Sequence, residues 1–239
     1  MKCLILASGF GTRLYPLTRD KAKALTEYKG KPLLTHIVER IPHNIDILLV
    51  TNRKFEMDFR RWRESIDRKV EIGIEDVWTE REKKGALGSL TFGIEQENIQ
   101  EDLLVLASDD YFGFDLSQFI AAYNGENALV AVHDIGDKNR ASQFGVVEVE
   151  KGTIVKCEEK PICPKTSLIG IECYPFPPRL FPILSRYHRE HPEIDQLGHF
   201  ITHLVKYDTV DAYIFAELWL DTASILSLSG KPRTGGGSG

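Results

Sequence analysis

Short, unbroken apolar runs alternate with longer stretches of helical periodicity through the first 135 residues, and this alternation restricts the fold more than any other feature. KCLILA (2–7), IDILLVT (45–51), KVEIGIE (69–75), EDLLVLAS (101–108) and NALVAVHD (127–134) read as strands. Between them PLLTHIVERI, the arginine-rich segment 52–69, GALGSLTFGIEQE and DLSQFIAAY read as helices. Such alternation predicts parallel strands joined by crossover helices, a doubly wound α/β sheet. The runs are continuous rather than alternating in polarity, which suits strands covered on both faces.

After residue 135 the rhythm changes. FGVVEVEKGTIVKCEEKP (144–161) reads as two strands joined by a turn at Lys151–Gly152, and SLIGIECYPF (167–176) as a third. Helical patterns follow in PPRLFPILSRY and DQLGHFITHLVKY, then a strand VDAYIFA and a last helix near TASILSLS. No Pro/Gly/Ser-rich linker and no repeat interrupts the chain. The expectation is one domain over 1–230, with a smaller antiparallel lobe completing it. The tail TGGGSG, within 232–239, reads as an appended linker outside the fold.

The totals exclude several classes. A hydrophobic content of 42% over 239 residues is ample for a core. No window approaches the ~20 apolar residues of a membrane span, and the start has no signal-peptide pattern. A soluble, cytoplasmic protein is expected, with no membrane partner. A net charge of -5 argues against non-specific nucleic-acid binding. In segment 52–69, Phe55, Phe59 and Trp62 recur at helical spacing with arginines on other faces, so a solvated amphipathic helix explains it. Cys3, Cys157, Cys163 and Cys173 form no close-spaced metal pair and read as reduced, mostly buried thiols. His199 and His203 stand four apart but lack a third ligand nearby, so they read as a helix-surface pair.

The stretch LASGFGTRLYPLT (6–18) follows the first strand and carries the chemistry. A glycine loop after a strand offers free backbone amides, which attract phosphate. Two common versions fail on residues. The dinucleotide fingerprint needs a third glycine where Leu14 stands, and Pro16 interrupts the helix it requires. The Gly-Lys-Ser/Thr of a Walker loop is absent.

GFGTRLYPLTRDKAKAL (9–25) resembles the signature of the sugar-1-phosphate nucleotidylyltransferases, Gly-x-Gly-Thr-Arg-Leu-x-Pro-Leu-Thr and then Lys-x-Leu. The matching residues are Gly9, Gly11, Thr12, Arg13, Leu14, Pro16, Leu17 and Thr18, then Lys23 and Leu25, with Ala22 where proline is usual. GKPLL (30–34), Phe144–Val147 and Glu159–Pro161 also match, in order, over residues 1 to about 228. The style is nearest a short, single-domain glucose-1-phosphate thymidylyltransferase. The resemblance implies a Rossmann-like mixed sheet, with a nucleotide-binding part over 1–135 and a sugar-phosphate-binding part over 136–230.

It also implies an activity: an NTP and a sugar 1-phosphate give an NDP-sugar and pyrophosphate, with Mg²⁺. A hexose acceptor with dTTP or UTP is favoured; guanylyl or cytidylyl transfer to a heptose, mannose or other phosphorylated acceptor stays open. Arg13, Lys23, Asp109 and Asp221 are the implied catalytic residues, with Asp109 and Asp221 as metal ligands. Leu6, Ala7, Gly9, Gly11, Thr12, Arg13 and Gly85 are implied on the nucleotide side. Gly145, Glu159 and Lys160 are implied on the sugar-phosphate side. Many relatives self-associate, which leaves a homo-oligomer open, while the sequence itself is silent on oligomeric state.

Dull readings accompany these. Asp110 competes with Asp109 as ligand, and Asp221 could cap a helix starting near Thr222. Thymidylyl and uridylyl enzymes often carry glutamine about five residues before the glycine at Gly85, whereas this chain has Glu80. Ser8 adds a side chain near the base. Ala22, Ala223 and Glu80 together motivate a second class, a non-catalytic nucleotide-binding regulator on the same fold.

Overall fold

The computed structural model describes residues 1–228, so the proposed linker at 232–239 lies outside the described residues. Strand β1 (Lys2–Leu6) runs into the glycine loop, and a hairpin of β2 (Glu27–Tyr28) and β3 (Lys31–Pro32) delivers the chain to α1 (Leu33–Val38). β4 (Asp46–Asn52), α2 (Glu56–Glu64), β5 (Glu71–Glu75), α3 (Gly85–Gln96), β6 (Leu103–Ala107), β7 (Asp110–Phe112) and α4 (Leu116–Ala121) follow. Next come β8 (Ala128–Asp134), α5 (Lys138–Ala141), β9 (Gly145–Glu150), β10 (Thr153–Glu159), β11 (Leu168–Gly170) and β12 (Cys173–Phe176). The chain closes with α6 (Phe181–Glu190), α7 (Leu197–Tyr207), β13 (Val210–Phe215), β14 (Trp219–Asp221) and α8 (Thr222–Leu228).

The main sheet has the order β12-β6-β1-β4-β5. Its inner strands are parallel, and β12 joins the edge antiparallel to β6. Alternate residues serve opposite faces, which is why the strands are apolar throughout. Ile5, Leu49, Leu104 and Leu106 pack toward α1, α2 and α4 through Leu34, Phe59 and Phe119. Leu4, Leu48, Val50 and Val105 pack toward α3, α6 and α7 through Leu90, Leu184 and Phe200. The arginine-rich segment is the amphipathic helix expected: Phe55, Phe59 and Trp62 are buried, and Arg60 and Arg61 pair with Glu56 and Asp58.

Two strand readings need refinement. NALVAVHD is a strand but does not enter the doubly wound sheet. As β8 it lies in a closed barrel of order β10-β13-β8-β11-β9, pairing parallel with β13 and antiparallel with β11. Apolar periodicity reports burial and not which sheet a strand joins, so the sequence pattern could not separate these. SLIGIECYPF is two strands rather than one. Its first half, β11, closes the barrel; its second half, β12, extends the main sheet. The break falls at Ile171–Glu172.

The cysteines are all free; Cys3, Cys157 and Cys173 are buried and Cys163 is exposed. Burial pushes the Cys157 thiol up to about 11. Among the described residues no helix is long and apolar enough to cross a membrane.

Candidate active site

Two cavities open where the parallel strands end, the usual ligand position in an open α/β sheet. The first, about 370 Å³, is lined by Leu6, Ala7, Gly9, Gly11, Thr12, Arg13 and Gly85, that is, by every residue expected on the nucleotide side. The second, about 260 Å³, is lined by Gly145, Glu159, Lys160 and Asp221. Arg13, Lys23, Asp109 and Lys160 line both. The residues singled out in the sequence therefore converge on one continuous cleft.

The glycine loop is held from below by the neighbouring strand. Thr51 donates its hydroxyl hydrogen to the Ala7 carbonyl at 3.2 Å, and Asn52 donates from Nδ2 to the Ser8 carbonyl at 2.8 Å. From above, the Thr18 hydroxyl donates to the Gly11 carbonyl at 2.6 Å. Pro16 has the effect its position suggests: the loop enters a single 3-10 turn at Thr12–Leu14 rather than an α-helix.

Asp109 stands two residues beyond the end of β6, and Lys23 forms an ion pair with it. Burial works against the Lys23 ammonium, but attraction and hydrogen bonding from Asp109, backed by Asp110 and Glu172, lift its pKa above the ordinary lysine value. Asp110 begins β7 and lies opposite Asp221 of β14. Its Oδ2 accepts from Trp219 Nε1 at 3.3 Å. Burial, then the charges of Asp109 and Glu172, push its pKa well up. Asp221 combines both readings made of it: Oδ1 accepts from the Ser224 amide at 2.9 Å, capping α8, and the residue lines the second cavity.

A Mg²⁺ ion fits this chemistry. Asp109 and Asp221 line one cavity and offer carboxylate oxygens, the donor type Mg²⁺ takes, with Lys23 now paired to Asp109 and Arg140 3.9 Å from Asp221 Oδ1. Among the described residues no group of three or more His, Cys, Asp or Glu could hold a metal ion. Phosphate and water oxygens would have to complete the shell, as is usual for Mg²⁺.

In the second cavity Lys160 adopts φ 46°, in the left-handed region that non-glycine residues seldom occupy, with its amide bonded to the Phe144 carbonyl at 3.0 Å. Its ammonium lies 3.3 Å from Glu159 Oε1. Glu159 is packed tightly: a Cβ on Gly198 would come within 1.8 Å of its Oε2. Only glycine at 198 lets α7 approach so closely.

Several lining residues escaped the sequence reading. Asp195 and Gln196, between α6 and α7, line the first cavity, and Gln196 lines both. Asp195 accepts from the Ala86 amide at the start of α3, through its carbonyl at 2.9 Å and Oδ1 at 3.1 Å. Lys83 reaches Asp195 Oδ2 at 2.8 Å and Glu80 Oε1 at 2.9 Å. Nothing in the local pattern marks Asp195 or Gln196. Glu172 also lines both cavities, and it had a signal: it is the only charge in SLIGIECYPF. Burial, then Asp109 and Glu159, push its carboxyl up to about 7.

The profile of the nucleotidyl transferase family matches residues 2–230. A UTP–glucose-1-phosphate uridylyltransferase, AglF of Haloferax volcanii, is 31% identical over 189 residues, which are 76% of this chain and 74% of that protein. The mannose-1-phosphate guanylyltransferase catalytic subunit beta of Dictyostelium discoideum is 32% identical over 75% of this chain, but only 50% of its own length is covered. Against the glucose-1-phosphate adenylyltransferase of Thermomicrobium roseum the identity is 27%, with 94% and 57% covered. The chain thus spans about half the length of the last two. A solved Bacillus anthracis structure, assigned as a glucose-1-phosphate thymidylyltransferase, superposes with a TM-score of 0.84 at 21% identity, covering 100% of this chain and 98% of that one. At that identity the likeness speaks for the fold.

Proposed function

The chain belongs to the nucleotidyl transferase family, and from that membership we propose that it transfers a nucleotidyl group from an NTP to a sugar 1-phosphate, releasing pyrophosphate. The observation that carries the proposal is the pair of cavities meeting at Arg13, Lys23, Asp109 and Lys160. One cavity receives the triphosphate and the other the sugar phosphate. An acceptor phosphate oxygen attacks the α-phosphorus, and the bond to the β-phosphate oxygen breaks. The nucleophile is already an anion, so no general base is required.

The obstacle is repulsion between two polyanions, and catalysis rests on alignment and charge neutralisation. Arg13 grips the triphosphate with its planar fork and steadies the departing pyrophosphate. Lys23 neutralises phosphate charge where the cavities join, and its pair with Asp109 keeps it charged. Gly9 and Gly11 let backbone amides approach the phosphates. Lys160 holds the sugar phosphate from the opposite wall, while Glu159 and Gly145 meet the sugar. Asp109 and Asp221 would hold Mg²⁺, which supplies polarisation of the α-phosphate when bound.

Within this class we assign a hexose 1-phosphate as acceptor and UTP or dTTP as donor, a choice supported by the 31% identity to a uridylyltransferase. The similar identity to a guanylyltransferase supports guanylyl transfer as the second reading. Pyrophosphate release from a matrix of the NTPs against glucose, mannose and N-acetylglucosamine 1-phosphates, with Mg²⁺, tests all of this. Turnover in one column identifies the base. Tight nucleotide binding without turnover anywhere would replace the enzyme by a regulator.

A further inference from the structure

We propose that Glu172 reads the acceptor, its carboxylate taking a hydrogen bond from a ring hydroxyl of the sugar 1-phosphate. The inference rests on the transferase reading above and adds to it a residue that neither the sequence nor the comparisons assign.

The backbone explains why Glu172 stands where it does. It is the joint at which the chain leaves the barrel, after β11, and enters the main sheet as β12. The joint is pinned on every side. Ile171 donates its amide hydrogen to the Ala131 carbonyl at 2.9 Å, Cys173 donates to the Ile171 carbonyl at 2.7 Å, and Ala107 donates to the Glu172 carbonyl at 2.8 Å. Ala107 is also the last residue of β6, two before Asp109. Glu172 is thereby fixed to the strand that presents Asp109, and it lines both cavities.

Its surroundings say what it meets. Among the described residues no hydrogen bond or ion pair to its carboxylate is found, and Lys23 is engaged by Asp109. Both substrates carry phosphate, which repels a carboxylate. At the wall of an open cavity water serves an acceptor that has no protein donor, and a neutral hydroxyl is the donor that a sugar phosphate brings in its place. Glu159, assigned to the sugar from the same cavity, already faces Lys160, so Glu172 adds a second acceptor that no donor among the described residues occupies.

The test compares wild type, Glu172→Ala and Glu172→Gln, using the best acceptor among glucose, mannose and N-acetylglucosamine 1-phosphates together with its monodeoxy analogues. Acceptor KM, NTP KM and the Mg²⁺ activation constant are measured for each. Glu172→Ala is expected to lower kcat/KM for the acceptor about 10-fold or more, chiefly through KM, and to stop discriminating against one deoxy analogue. Glu172→Gln, whose amide carbonyl still accepts, should recover part of that discrimination and serves also if the alanine variant folds poorly. Unchanged deoxy discrimination in both variants overturns the proposal. So does an effect confined to Mg²⁺ activation, or to NTP KM, which would move the carboxylate to the metal or to the ribose. Absence of turnover in the wild type with every substrate pair would instead defeat the transferase reading itself.

Discussion

Thr222 donates its hydroxyl hydrogen to the main-chain carbonyl of Asp109 at 2.7 Å, tying together two segments more than a hundred residues apart. The bond sits beside the β7–β14 pair, in which Asp110 and Asp221 lie opposite one another. Thr222 is fully buried, so the tie holds the two carboxylate-bearing strand ends in fixed relation whatever the side chains do.

Asp109→Asn should therefore remove function without unfolding the protein. The scaffold bond is accepted by the main-chain carbonyl of residue 109 and survives, while the Lys23 pair lost is about 30% exposed on each side, where solvent screens it. Pyrophosphate release is expected to fall by roughly 10²–10³ or more, with the melting temperature nearly unchanged. A near-normal rate would hand the metal role to Asp110.

Arg13→Ala should depress kcat about 10²-fold or more and leave the KM for sugar phosphate close to wild type. The guanidinium lines both cavities, so steady-state kinetics with each substrate varied in turn is the decisive measurement. A large acceptor KM effect with unaltered kcat would contradict its assignment to the triphosphate.

Gly85→Ala should damage the first cavity, to which the proposed function assigns the nucleotide. Gly85 has φ 73°, and an added Cβ would lie 2.5 Å from Asp195 Oδ1 and 2.9 Å from Asp195 Cα. Backbone cannot swing aside as a side chain can, so the 195–196 loop must move away from α3. A loss of about 1–3 kcal/mol in denaturant unfolding and a raised NTP KM are expected. Both measurements unchanged would show that the loop yields freely.

Glu75→Gln offers a pH test. Glu75 is 1% exposed, its Oε1 has no hydrogen-bond partner, and burial raises its carboxyl despite hydrogen bonds from Ser89 and Ser8 and the charge of Lys84. A group whose folded pKa lies above its unfolded value, about 4.3 for glutamate, contributes stability at low pH and loses it as pH rises through the folded value. The glutamine variant should melt higher than wild type at pH 8, with the gap closing toward pH 5. A gap independent of pH would mean that the carboxyl is not strained by its burial.

What was legible in the chain was what depends on local pattern. The glycine loop, the strands feeding it and the carboxylates at strand ends all carry short-range signatures, and each falls on the cleft. Glu172, Asp195 and Gln196 were hidden for one reason. Their positions depend on where the chain crosses between the barrel and the main sheet, and on how α7 meets Glu159 through Gly198. The β8 and β12 assignments were hidden likewise, since a buried apolar strand looks the same in either sheet. Glu172 was the exception in principle, because a lone carboxylate in an apolar run asks for a partner.

The exchange of strands, with β8 given to the barrel and β12 returned to the edge of β6, has a practical consequence for engineering. A chimaera spliced near residue 135, taking its second portion from a relative, would bring a foreign strand to the edge of β6 and leave the native β8 inside a foreign barrel. Both seams would run through hydrogen-bonded ladders at once. Recombination that aims to change the second cavity should therefore graft its wall residues individually and leave the crossing strands intact.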